Sequence, residues 1–237
     1  MRHAAPMAAV LLAIACSDAG RGRAAEVPSG KPPSTARVDS APAPSVAFVP
    51  GEVIVRFRPE STMGRLAQRD STPAALTRSL QPSVAALSRD LGVPLRIKGV
   101  TSGSELLFAV GLDQLTARLA ARVKTGPGVE RAAEVAVSPP GPFGSTREVR
   151  VELREGSPQA QAAAAAASDA GKAAAVVESL RRGFEHPVIG RVTPQREVFL
   201  AVDGRALTLQ LIERLRSRHD VAHAEPNYRL QSNLIVR

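Results

Sequence analysis

Histidines have the clearest capacity for acid–base or metal chemistry in this chain, and three of the four lie in its second half: His186, His219 and His223. A His219–Asp220–x–x–His223 spacing could hold a metal ion if the side chains shared one helical face. The pattern instead straddles a predicted helix end and strand start, which separates the two imidazoles. No serine lies in a nucleophile-elbow context. We therefore expect no catalytic residue, no metal, no cofactor and no enzymatic activity.

Cys16 is the only cysteine, and it follows the apolar run 8–15. This run is too short to cross a bilayer and is typical of a signal peptide covering residues 1–15. The stretch 12–16 resembles the lipobox of bacterial lipoproteins, with Ala13 where leucine is commonest. The resemblance implies that Cys16 is acylated and that the protein is a membrane-anchored lipoprotein, periplasmic or on the cell surface. Ser17 favours the outer membrane. Alternatively, 13–15 is an ordinary A-x-A cleavage site, which also predicts export.

Two segments are predicted to lie outside the folded modules. Residues 16–47 are rich in Ser, Ala, Gly and Pro and cannot bury enough surface to offset their ordering entropy, so they form a disordered tether. Residues 139–146 form a short stiff linker. The net charge of +9 is scattered along the chain, which is typical of a solvated surface; anionic lipid or an acidic partner remains an alternative. In an exported protein, nucleic acid is excluded as a partner.

The second half of the chain repeats the first. At an offset of 92, Leu115 matches Leu207 and Val129 matches Val221; at an offset of 96, the strand pattern at 52–58 matches 148–154. Repetition over about 90 residues predicts two copies of one small module, at 48–138 and at 147–237. Since the chain has 44% apolar residues but only 3% aromatic ones, each core should consist of aliphatic side chains.

Each copy has the element order strand, helix, strand, strand, helix, strand. Alternation of Val53, Val55 and Phe57 with polar residues predicts a strand with one buried face, and apolar residues four apart over 115–123 and 207–218 predict helices. The fold class is therefore α+β: two tandem ferredoxin-like (βαββαβ) modules, each with two helices on one face of a four-stranded antiparallel sheet. The other face of each sheet is left open to solvent or a partner.

Two distinctive segments resemble a known family. The stretch 48–59, which reads FVPGEVIVRFRP, resembles the opening of the N-terminal prodomain of subtilisin-like serine proteases, of the fervidolysin type. Residues 221–228, which end in Glu225, Pro226, Asn227 and Tyr228, are similar to the final strand of that prodomain. Copy one lacks the closing motif and copy two lacks the Pro-Gly opening, so each copy carries one clear end.

This resemblance implies a protease inhibitor and intramolecular chaperone, in which the open sheet face docks on the protease and the segment after the last strand enters the active-site cleft. The catalytic domain normally follows, whereas this sequence stops at Arg237, so we expect action in trans on a separate secreted or envelope protease. The expected contact residues are Glu225, Pro226, Asn227, Tyr228, Leu234, Ile235, Val236 and Arg237. Alternatives are an adaptor lipoprotein that binds an unrelated protein, a remnant of a protease that lost its catalytic domain, and, for 231–237, a frayed C-terminus.

Overall fold

The computed structural model describes residues 47–69, 73–101, 104–138, 144–166, 169–193, 195 and 197–228. The part of the first copy that it covers contains β1 (Phe48–Phe57), α1 (Thr62–Arg69), α2 (Pro73–Leu91), β2 (Leu95–Val100), β3 (Leu106–Val110), α3 (Leu112–Lys124) and β4 (Val129–Ala136). The second contains β5 (Arg147–Leu153), α4 (Pro158–Ala166), α5 (Ala170–Arg181), β6 (Val188–Val192), β7 (Val198–Val202), α6 (Gly204–Arg216) and β8 (Val221–Tyr228).

The predicted elements are present, with two additions. Helix α1 was not predicted, and the alanine run of the second copy forms α4, in which Ala163 and Ala166 are buried. Helix α2 continues through Pro82 as one helix. The α+β class and the antiparallel pairing within each sheet are confirmed.

The strands form two four-stranded sheets whose order crosses between the copies. Sheet A has the order β2-β3-β1-β8, and sheet B has the order β4-β5-β7-β6. The last strand of each copy therefore lies at the edge of the sheet that the other copy begins. In sheet A, Val55 is opposite Ala224 of β8, whereas in sheet B Val151 is opposite Ala132 of β4.

The helices that precede the exchanged strands cross over with them. Helix α6 packs on β1 and β8, while α3 packs on β4, β5 and β7. We call 48–110 together with 204–228 lobe A, and 112–202 lobe B. Lobe B is thus continuous in sequence and lies between two segments of lobe A.

This exchange corrects the predicted organisation of the chain. The expectation that 48–138 and 147–237 each close their own sheet is wrong, because β4 and β8 lie in the opposite sheets. The expectation of two separate cores is also wrong: buried side chains from both copies form one cluster, and all described residues belong to one compact unit. The prediction failed because α3–β4 and α6–β8 share an apolar pattern that does not assign either unit to one of the sheets.

The chain crosses between the lobes at two matched positions. After β3, the Gly111 N–H donates to the Pro94 carbonyl at 2.8 Å; after β7, the Asp203 N–H donates to the Pro187 carbonyl at 2.9 Å. Asp203 also caps α6, since its carboxylate accepts from the N–H groups of Arg205 and Ala206. The two crossings are therefore alike: each is one residue long and leads directly into a helix.

Candidate protein-binding surface

Pairing of β1 with β8 places the two distinctive sequence segments side by side. Ile54 lies opposite Glu225, Val53 opposite Pro226, and Phe48 opposite Tyr228. The opening strand comes from the first copy and the closing strand from the second. Sheet A therefore contains both clear ends of the repeat, and sheet B contains neither.

The four predicted site residues on β8 have different environments. Pro226 is buried; a proline is compatible with β8 because an edge strand has backbone groups that pair with no neighbour. Glu225 lies 3.3 Å from Nε2 of His223, and Tyr228 is 45% exposed. Cys16 and the residues Leu234, Ile235, Val236 and Arg237 lie outside the described part of the chain.

A polar bridge that the sequence did not reveal ties β8 to the rest of sheet A. The carboxylate of Glu52 accepts from Nδ2 of Asn227 at 2.6 Å and forms an ion pair with Lys98 of β2. Glu52 is 8% exposed and stands opposite Ala109, whose small side chain leaves room above β3. A mostly buried carboxylate with both a cation and an amide donor is well satisfied. The bridge holds the opening and closing strands in one register.

The outer face of sheet A, defined as the face turned away from the helices, has an apolar centre. Ile54 of β1 and Leu107 of β3 are direct cross-strand partners, and both are partly exposed. Next to them, Arg56 forms an ion pair with Glu105 at 2.5 Å. An apolar pair with charges at its margin can bury apolar area against a partner and satisfy polar groups around it.

At the matched positions, the outer face of sheet B is covered by arginines. Arg150 and Phe199 replace Ile54 and Leu107. Arg150 forms an ion pair with Glu197, and Arg191 lies over the Phe199 ring at 4.4 Å while pairing with Glu148 at 2.9 Å. The aromatic surface is thus already occupied by a cation from the same sheet.

The histidine pattern singled out in the sequence does not form a metal site. In the part of the chain that the structure describes, no group of three or more His, Cys, Asp or Glu side chains could hold an ion. Asp220 instead binds Arg218 through a 3.0 Å hydrogen bond, and this bond together with the one to Asp90 raises the pKa of the Arg218 guanidinium. His223 faces Glu225, and His219 only borders an open surface cleft.

Comparisons with known proteins identify no relative: no family model, curated protein or solved structure matches this chain. Among the helices of the described residues, none has the length and apolar content needed to span a membrane.

Proposed function

We propose that this protein is a non-catalytic binder of a subtilisin-like serine protease, acting in trans as a propeptide-like inhibitor or folding assistant. The observation that carries the proposal is the pairing of β1 with β8. Both segments that resemble the protease prodomain become neighbours in one sheet. The exchange between the copies thus supplies lobe A with the opening and the closing strand that neither copy has alone.

The proposal includes the finer fold: lobe A as a ferredoxin-like βαββαβ unit. Its strand order, second, third, first and last, is supported by the antiparallel pairings of β1 with both β3 and β8. Helix α2 packs on β2, and α6 packs on β1 and β8, which leaves the outer face of the sheet without a helix.

Lobe A is the proposed binding lobe and lobe B the scaffold. Ile54 and Leu107 form a partly exposed apolar pair, whereas the matched Phe199 lies under Arg191. The segment after Tyr228 also leaves from lobe A, so a docked outer face and an inserted tail would act on the same protease. The remaining part of the proposal is export, with anchoring to the membrane through acylated Cys16.

The first experiment measures hydrolysis of a chromogenic peptide by purified subtilisin in the presence of the full chain. We expect inhibition that weakens when residues 231–237 are replaced by a Gly/Ser segment of equal length. A parallel assay measures recovery of activity when a denatured subtilisin domain without its own prodomain refolds beside the protein. Faster recovery without inhibition identifies a folding assistant. An adaptor that binds an unrelated protein gives neither effect, and that result would contradict the proposal.

The anchoring part has a separate test. Expressed in a bacterium with labelled palmitate, the full chain should incorporate label and fractionate with membranes, and Cys16→Ser should lose both properties. An unlabelled chain would favour ordinary signal-peptide cleavage, without bearing on the protease proposal.

A further inference from the structure

The two exchanged units, α3–β4 and α6–β8, share part of their buried apolar pattern. Leu115 and Leu119 of α3 correspond to Leu207 and Leu211 of α6, and all four are buried. The buried hydroxyls also correspond: Thr116 Oγ1 lies 3.3 Å from Ser145 Oγ, and Thr208 Oγ1 accepts from the Gly51 N–H at 2.7 Å. These positions do not distinguish the two sheets, although other buried positions differ in size: Leu112, Ala120 and Val123 of α3 correspond to Gly204, Ile212 and Leu215 of α6.

The charged residues of the units are not interchangeable. Unit α3–β4 contacts the rest of lobe B through acidic groups. Asp113 accepts from the Thr146 hydroxyl at 2.8 Å and from its N–H at 3.2 Å, and Glu134 pairs with Arg147 at 2.8 Å. The hydrogen bond and charge of Glu134 raise the pKa of Arg147.

Unit α6–β8 instead contacts the rest of lobe A through basic groups. At the position that corresponds to Asp113, Arg205 lies over the ring of Phe48 at 4.9 Å. In the turn that follows α6, Arg218 reaches Asp90 of α2 at 3.4 Å. The two units thus present opposite charges at their joints.

Each of these contacts is lost if the units change places. By the offsets of the repeat, Asp113 would face Pro50, which has no N–H, and Glu134 would face Gly51 instead of Arg147. The same offsets place Gly144, which has no aromatic ring, beneath Arg205. They also place Gly126 in the position of Arg218, so that Asp90 loses this cation.

We infer that these four contacts select the exchanged arrangement, in which the C-terminal helix–strand unit packs on the sheet that β1 begins and its N-terminal copy packs on the sheet that β5 begins. Exposed contacts of this kind each change an equilibrium constant by about two- to fivefold. Four of them together give a preference of more than about tenfold for the exchanged arrangement.

A competition between cysteines within one full chain measures this preference. In a Cys16→Ser background, Ile54→Cys is combined with Glu225→Cys and Ala133→Cys. Residue 54 lies opposite 225, while 133 lies opposite Arg150 in sheet B. Direct cross-strand neighbours meet the distance that a disulfide requires. After refolding and mild oxidation, peptide mass spectrometry gives the ratio of 54–225 to 54–133 bonds, which should exceed about tenfold.

The decisive variant adds Asp113→Arg, Glu134→Arg, Arg205→Asp and Arg218→Ala to this chain. We expect the ratio to fall at least tenfold relative to the parent. A matched control, Ala121→Glu with Glu213→Ala, changes charges on the same two helices at exposed positions away from the joints and should leave the ratio unchanged.

A second measurement needs no new charge substitution. Refolding the parent reporter chain in about 1 M salt screens charges beyond about 3 Å and should raise the share of 54–133 bonds. If the folded four-residue variant keeps the parent ratio, the inference is overturned. If that variant does not fold, an unchanged ratio at high salt overturns it.

Discussion

The two sheets of this protein begin from the same pattern and end with opposite surfaces. On the outer face of sheet A, Ile54 and Leu107 are cross-strand partners and form a partly exposed apolar pair. At the matched place in sheet B, Arg150 binds Glu197, and Arg191 covers Phe199. The two sheets have the same backbone arrangement, whereas a few side chains make their outer faces chemically different.

The largest effect should come from separating the lobes. Deleting 111–202 joins Val110 directly to Asp203 and keeps all of lobe A, because the two crossings make equivalent turns. We expect the shortened chain to inhibit subtilisin but to have a lower free energy of unfolding than the full chain, because part of the common core is removed. Residues 112–202 alone should have no effect on subtilisin. Inhibition assays are read beside circular dichroism of both pieces. Inhibition by folded lobe B, or by neither lobe although both fold, would remove the functional distinction between the sheets.

The second-largest effect tests whether the two lobes share one hydrophobic core. Leu119 of lobe B and Leu211 of lobe A are matched and buried in one cluster. Leu119→Ala and Leu211→Ala should each lower the free energy of unfolding by about 3 kcal/mol, because each leaves a cavity in a packed core. Both should shift one common urea transition. Leu209→Ala, at a position 51% exposed on α6, should change little. Two separate transitions, each sensitive to one variant, would instead indicate independent cores.

The third effect tests the outer faces directly. Leu107→Asp places a carboxylate at the apolar centre of sheet A, and Phe199→Asp places one at the matched site of sheet B. We expect the first to weaken inhibition of subtilisin by about tenfold or more, since a charge would be desolvated at the interface. The second should have little effect on inhibition. Equal losses of inhibition, or a larger loss for Phe199→Asp, would contradict docking through the outer face of sheet A.

The smallest effect is a pH dependence that arises from His186 of lobe B. His186, which directly precedes Pro187, packs edge-to-face against Phe184. Desolvation lowers the pKa of His186 below 6.5, and the nearby Arg118 and Arg214 act in the same direction, whereas Glu185 and the Gly92 backbone oppose them.

Because the folded state holds the proton less tightly than the unfolded chain, protonation of His186 costs stability only as the pH falls below about 6.5. The midpoint of urea unfolding should therefore decrease on acidification, and His186→Gln should reduce this decrease without changing the midpoint at pH 8. A decrease of the same size in the variant would show that other groups cause it.

The sequence predicted the elements far better than their connections. Periodicity located the strands and most helices, and β2 and β3 pair as antiparallel neighbours. It could not assign α3–β4 and α6–β8 to their sheets, since Leu119 and Leu211 give them the same apolar stripe. The one available signal was that each copy lacks one of the two distinctive ends.

The site was predicted only in part, for a similar reason. Glu225, Pro226, Asn227 and Tyr228 do share one strand at the edge of sheet A. Glu52, the carboxylate that holds Asn227, was missed because its partner is 175 residues away in the sequence. Contacts of that range follow from the exchange and have no local pattern.

The most direct test of the whole account is which strand completes the sheet that β1 begins. In a uniformly labelled full chain, nuclear Overhauser contacts between backbone protons report the neighbours of each strand. The account predicts contacts from Ile54 to Glu225 and from Arg56 to His223. Contacts from Ile54 to Ala133, with Arg150 close to Glu225, would contradict it.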